Sequence, residues 1–513
     1  MGDPQPLPSP DSAEHTPFLP APLPPLPHIE ALESLLSTHP IYATNPAKAL
    51  WLTTHLLALP PLYAWWALRN LLPSWRALPG WSLQRALGSR LIRYVTRTFF
   101  VGNSLPRPDL SRELTGKEER ELEQFGARCV WIPGVDVDSE GEEEVGEPVR
   151  GWAREAGVRG VKVRAFWLGD WAGLLDQSQQ DAGDVGRQGK VADGNGNGFH
   201  PSAEQAPGTG KSSAEKGKIM LFLHGGSYIT GSAHPRELTS FLPLSTLRHA
   251  HTLRACLSLD YRLSSTTPNP DENPFPAALL DALAGWRYLL SLSIDPSRIV
   301  IAGDSAGGNL ALALVKYIVE VDHPSSPVGG LVLLSPWSDL TDSHHSPECS
   351  LFRNYKTDYI LGLEAAMGSY SVRALCATVS PWCAWISPAA IAPAAGMTST
   401  SGIPAQNGAA DALPANGSPS SAQEWPEATF HDFPRTLVIP GEREMIVDEI
   451  RTLAQRMRRD GVDLVYREWE GMGHDFCTMW FNEPERTEAV KFIARWIDEE
   501  QDQEDRPVQE GAH

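Results

Sequence analysis

Cysteine is scarce in this chain, six among 513 residues, and no two of them form a C-x-x-C pair. That density excludes a disulfide scaffold, and the spacing excludes a zinc ribbon. Acidic side chains total 63, yet none occurs between Glu33 and Asp109. The same stretch carries Lys48, Arg69, Arg76, Arg85, Arg90, Arg93, Arg97 and Arg107, so the net charge of −20 hides a segment of +8. The acidic remainder makes nucleic acid an unsuitable partner. No internal repeat is present, which excludes collagen and coiled-coil arrays, and apolar runs are too few for a multi-pass membrane protein. What is present is a 42% hydrophobic composition, ample for a sizeable core. The length suits about two to four domains, or one large α/β domain with additions.

The acid-free stretch has its own logic. Ala49 to Leu68 runs without Lys, Arg, Asp or Glu, long enough as a helix to span ~30 Å, but Thr53, Thr54, His55 and the pair Pro60-Pro61 interrupt it. Two consecutive prolines remove two backbone donors and are expected to kink or break a helix. From Trp81 to Phe99 a helical projection collects Trp81, Leu83, Leu87, Leu91, Ile92, Val95 and Phe99 on one arc. Arg85, Ser89, Arg90, Arg93 and Arg97 fall on the other. With Trp51, Trp65, Trp66 and Trp75 nearby, this pattern suits an anionic membrane surface. A helical lid over a soluble enzyme's pocket is the alternative. The segment starts too late for a cleaved signal peptide.

Composition divides the chain further. Residues 1–40 read as a disordered proline-rich leader, 41–125 as the apolar and basic helical segment, 126–500 as a catalytic domain, and 501–513 as an acidic tail. Gly/Gln/Ser-rich insertions about 177–218 and 394–422 cannot bury enough surface to offset their ordering entropy. Asp136 to Glu147 reads as a solvated acidic loop. Between the insertions, short apolar runs alternate with amphipathic ones. Strands are expected at Val161–Trp167, Lys218–Leu223, Thr252–Leu259, Arg298–Ala302, Gly330–Leu334, Thr436–Ile439 and Val462–Trp469. Helices are expected at Pro276–Ser291, Asn309–Val321, Met445–Arg459 and Glu483–Glu499. That order predicts a mostly parallel sheet covered on both faces.

Three motifs sit at strand ends. Gly303-Asp304-Ser305-Ala306-Gly307 lies between a strand and a helix, where the turn strains Ser305 and lifts its hydroxyl above the sheet. His224-Gly225-Gly226-Ser227-Tyr228 follows Lys218–Leu223 and can present the N–H groups of Gly225 and Gly226 to an oxyanion, with Ala306 as a third donor. Gly471-Met472-Gly473-His474-Asp475-Phe476 offers His474 as the general base that a serine hydroxyl needs. An acidic partner is expected between nucleophile and base in the chain. Glu442, Glu444 and Asp448 are the candidates, and Glu444 is chosen because Asp448 falls a turn into a helix.

Together with Asp260-Tyr261-Arg262-Leu263, Pro274-Phe275-Pro276, Asp295-Pro296-Ser297-Arg298 and Ser335-Pro336-Trp337, these motifs resemble hormone-sensitive-lipase-like α/β-hydrolases from about Cys129 to Trp496. The N-terminal part resembles, more loosely, steryl-acetyl-hydrolase-like esterases. The resemblance implies an α/β-hydrolase fold and a serine esterase for a small hydrophobic ester, with Ser305, His474 and Glu444 catalytic. Gly225, Gly226 and Ala306 would form the oxyanion hole, His224 and Asp304 supporting. It implies no metal and no organic cofactor. Two departures stand out: Ser227 replaces the usual third glycine, and Glu444 replaces the usual Asp. Other readings are a non-catalytic receptor on the same fold, an amidase or long-chain lipase, and a membrane scaffold. A membrane location is expected, either by surface contact or a single-pass anchor within 49–100, with the endoplasmic reticulum or a soluble cytoplasmic enzyme as the choices. Oligomeric state stays open.

Overall fold

The computed structural model describes residues 44–138, 144–172, 217–324, 326–346, 348–360, 370–391 and 427–504. The expected leader, most of the first insertion, all of the second and the acidic tail beyond Glu504 lie outside these residues. In chain order, α1 (Ala47–Arg69), α2 (Leu83–Val101) and α3 (Gly116–Glu123) precede the sheet. Then come β1 (Arg128–Ile132), α4 (Val149–Glu155), β2 (Val163–Gly169), β3 (Lys218–Leu223), α5 (Phe241–His249), β4 (Leu253–Asp260), α6 (Ala277–Ser291) and β5 (Ile299–Asp304). α7 (Ala306–Tyr317), β6 (Gly330–Leu334), α8 (Ser350–Arg353), β7 (Thr436–Ile439), α9 (Val447–Arg459), β8 (Leu464–Tyr466) and α10 (Glu485–Glu504) follow.

Eight strands form one sheet in the order β1-β2-β4-β3-β5-β6-β7-β8. β2 is antiparallel to both β1 and β4, and every other pair is parallel. Each central strand is apolar on both sides because each side has a cover. Ile219, Leu221 and Leu223 of β3 point into a core with Leu279 and Leu283 of α6 and Leu310 of α7. Met220 and Phe222 point the other way, toward Leu242 of α5 and Val490, Ile493 and Trp496 of α10. The expected doubly covered, mostly parallel sheet is present. Register then positions the chemistry. Leu223 pairs with Gly303, and Leu334 pairs with both Asp304 and Ile439, so the segments after β3, β5, β6 and β7 leave the sheet at one edge.

Three local readings need correction. α1 runs unbroken through Pro60 and Pro61. The carbonyls those prolines leave unbonded belong to Leu56 and Leu57, residues 70% and 71% exposed, where water can bond them. The arginine side of α2 is not uniformly solvent-facing, for Arg85 and Ser89 are buried. Arg85 pairs with Glu485 of α10, and Gly88 lies against the Phe481 ring. The acidic stretch after Asp136 is not wholly a solvated loop, since Val137 and Val145 are buried in the core.

α1 forms an outer layer over α2. Trp51 Nε1 donates to Thr98 O at 2.9 Å, His55 Nδ1 lies 2.7 Å from the Tyr94 hydroxyl, and Trp66 meets Tyr94 edge to face. None of its residues is buried. Among the described residues, no helix is long and apolar enough to cross a membrane.

Candidate active site

Ser305 stands between β5 and α7 with φ 51° and ψ −118°, a region costly for any residue with a β-carbon. Backbone bonds hold it there: its N–H donates to Leu334 O at 2.9 Å, and its carbonyl accepts from Trp337 N at 3.0 Å. The flanking glycines are required by space. A β-carbon on Gly303 would lie 2.3 Å from Gly307 O, and one on Gly307 would lie 2.1 Å from Leu223 O. The second of these shows that the turn around Ser305 packs, backbone on backbone, against the segment leading into His224-Gly225-Gly226.

That segment is built by its neighbours. The ring of His224 stacks on Tyr261 at 4.3 Å, and its Nδ1 lies 2.7 Å from Gly225 O. Burial holds the imidazole below its ordinary pKa, so it is neutral at pH 7. Gly226 has φ 121°, a conformation open to glycine, with no room for a β-carbon beside Thr230 O. Ser227, in the place of a usual glycine, also takes a positive φ of 53°. Tyr228 donates to Asn309 Oδ1 of α7 at 2.8 Å, tying this loop to the helix that begins at Ala306. The Asp260-Tyr261-Arg262 motif is absorbed in support: Asp260 pairs with Arg164 at 2.8 Å, and Arg262 pairs with Asp281.

Three side chains from three loops meet here. His474 Nε2 lies 2.9 Å from Ser305 Oγ, and His474 Nδ1 lies 2.8 Å from Glu444 Oε2. The other Glu444 oxygen accepts from Gly441 N at 2.7 Å, and the carboxyl is fully buried. Glu442 and Asp448 are not part of this chain: Glu442 accepts from Gly471 N at 3.0 Å, while Asp448 pairs with Arg353 and Arg451. Asp304 is buried, and burial raises its pKa well above the usual carboxylate range. Glu449 accepts from Ser338 N and Asp339 N, fixing the loop after β6.

Burial alone would lower the pKa of His474. The carboxylates of Asp475 and Glu444 outweigh burial and hold the imidazole well above its ordinary value. Burial in turn pushes Glu444 up to about 7, against the pull of its bond to His474. Asp475 was not singled out from the sequence, although it adjoins His474; its Oδ2 lies 3.2 Å from Nε2. Asp358 was also missed, because it lies in irregular backbone without periodicity. Among the described residues no group of His, Cys, Asp and Glu is arranged to hold a metal ion. A cavity of about 590 Å³ lined by Trp81, Arg85, Glu442 and Trp469 is separate, its walls including neither Ser305 nor His474.

A strand–turn–helix serine beside a buried imidazole and carboxyl, on the edge of a mostly parallel sheet, defines a hydrolase-type architecture. Residues 220–406 and 408–478, just over half the chain, match the alpha/beta hydrolase fold family. The chain belongs to that family. An esterase of Mycobacterium tuberculosis, LipU, is 28% identical over 55% of this chain and 78% of its own length. An acetyl-hydrolase of Streptomyces hygroscopicus is 39% identical over 25% of this chain, and the match spans only 38% of that protein. Steryl acetyl hydrolase 1 of Saccharomyces cerevisiae is 31% identical over 25% of this chain and 28% of its own length. The crystal structure of an esterase from the bacterial hormone-sensitive lipase family aligns with 82% of this chain and 98% of its own at 21% identity, with a TM-score of 0.47. The curated relatives place the chain with the carboxylic-ester hydrolases.

Proposed function

We propose that this protein is a serine esterase that cleaves the ester of a small hydrophobic alcohol through Ser305, His474 and Glu444. The observation that carries the reading is the unbroken chain Ser305 Oγ to His474 Nε2 to Glu444, at 2.9 and 2.8 Å. Ser305 Oγ adds to the ester carbonyl as His474 takes its proton. The carbonyl electrons move onto oxygen, and the N–H groups of Gly225, Gly226 and Ala306 receive that oxyanion. Each such donor is worth ~3 kcal/mol in the barrier. The tetrahedral intermediate collapses, His474 returns the proton to the departing alcohol, and an acyl-Ser305 ester remains. Water, deprotonated by His474, then releases the acid by the same steps reversed. Glu444 keeps Nδ1 protonated and stabilises the transient imidazolium.

Ser305→Ala tests this directly. The variant should fold as the wild type does, judged by its melting curve. It should lose hydrolysis of p-nitrophenyl acetate by at least ~10³-fold and fail to react with a fluorophosphonate probe. Turnover retained in a folded Ser305→Ala protein refutes the assignment. For location, the exposed apolar side chains of α1 and the acid-free composition around them support contact with a membrane surface rather than a span.

A further inference from the structure

The acid of the site sits in a short irregular loop between β7 and α9, and one turn of chain on a separate element grips that loop's backbone. Asn354, at the end of α8, donates from Nδ2 to Glu444 O at 2.8 Å. Thr357 Oγ1 donates to Arg443 O at 3.1 Å. Asp358 Oδ2 accepts from Met445 N at 2.7 Å. The same carboxylate then reaches the second loop: Oδ1 accepts from His474 N at 3.2 Å, and from Tyr359 N at 2.7 Å. Asn354, Thr357 and Asp358 are all buried, so each of these bonds replaces one that water would otherwise make.

We propose that Asp358 is a positioning residue that holds the backbone of the acid loop and of the base loop in a fixed relation, so that Glu444 meets the His474 ring; this rests on the esterase reading above. One carboxylate bridges the residue after Glu444 and His474 itself, although Glu444 and His474 lie 30 positions apart in sequence. Bonds from a carboxylate to backbone N–H are roughly twice as strong as neutral ones, which suits a clamp. The need is greater with glutamate than with aspartate. Its extra methylene adds a rotatable bond, so its carboxyl, held by Gly441 N and His474 Nδ1, depends more on the backbone from which the side chain springs being fixed. Asp358 does not contact the His474 ring nitrogens, so it is no substitute for the acid. Other links join the loops, Arg443 N to Met472 O, Glu442 N to Trp469 O, Trp469 N to Pro440 O and Gly471 N to Glu442, and none of these engages Glu444, Met445 or His474.

The test uses the full chain with Asp358→Ala and the near-isosteric Asp358→Asn, which keeps one acceptor but turns an N–H₂ toward a backbone N–H. Misplacement by ~1 Å costs about 100-fold. Asp358→Asn should therefore lower kcat for p-nitrophenyl acetate by roughly 10- to 100-fold with KM within about twofold. Fluorophosphonate labelling should slow to match yet still reach completion, which a partly unfolded population would not do. Hydrogen–deuterium exchange should quicken in peptides covering 440–448 and 470–478 and stay unchanged in α6 and α7. If Asp358→Ala fails to fold, Asp358→Asn decides. Wild-type kcat in a folded variant, or unchanged exchange at both loops, overturns the proposal. Should the wild type cleave no ester at all, the esterase reading fails, while the exchange measurement still judges the clamp.

Discussion

At His474 two carboxylates bear on one ring, Glu444 through Nδ1 and Asp475 on the Nε2 side. Only the neutral imidazole can take the Ser305 proton, so activity is lost as the pH falls through the pKa of His474. That pKa is held above its ordinary value, which places the acid limb of kcat/KM above ~6.5. Asp475→Asn removes one stabilising charge and should move the limb to lower pH. A pH–rate profile on p-nitrophenyl acetate measures this, and an unmoved limb would mean that the charge of Asp475 does not act on the ring. Residues of this kind divide by how local their cause is. Ser305 and His474 were legible because strained or glycine-flanked turns at strand ends are sequence-local. Glu444 was legible only through the argument that a helix begins just after it. Asp475 and Asp358 act through where a loop points, and no periodicity carries that information.

Elements were readable in proportion to how completely they are buried. β3, β5, β6 and β7 are apolar on both faces and stood out as short runs. β1, with an exposed or half-buried face, and the polar helix α3 did not. α2 was legible as a helix but misjudged in orientation. Arg85 looks like a solvent residue until Glu485, 400 positions away, closes over it. The seam between α2 and the catalytic body is tight at one position. A β-carbon on Gly88 would lie 2.3 Å from Cγ and Cδ1 of Phe481 and 2.9 Å from its Cβ. Helix propensity alone favours Ala over Gly by ~1 kcal/mol. Overpacking of a closed contact costs ~1–3 kcal/mol and involves the root of the Phe481 side chain, which cannot swing aside. Gly88→Ala should therefore lower the thermal unfolding midpoint. A rise would show that the seam opens freely and that propensity prevails.

Across the whole molecule, the charge asymmetry and the outer layer coincide. α1 exposes Leu50, Leu56, Leu57, Trp65 and Leu68, and Leu71, Leu72 and Trp75 continue the apolar surface beyond it. No acidic residue occurs there to repel anionic headgroups, and Lys48, Arg69 and Arg76 add positive charge. Such a surface is costly in water at ~25 cal/mol per Å² of apolar area and is relieved by lying in an interface. It is also joined to the site. α1 packs on α2, and Trp81, just before α2, donates to Gly471 O at 2.7 Å in the loop that carries His474. The full chain should therefore sediment with vesicles of phosphatidylcholine and phosphatidylserine, and less with phosphatidylcholine alone, because each cation near an anionic surface contributes ~1 kcal/mol. The electrostatic part should fade as salt shortens the screening length from ~10 Å at 0.1 M to ~3 Å at 1 M. The double variant Leu56→Glu/Leu57→Glu should lose vesicle binding while keeping wild-type turnover of p-nitrophenyl acetate in solution, since both residues are exposed. If the wild type stays in the supernatant with both vesicle types, the exposed face of α1 has no lipid role.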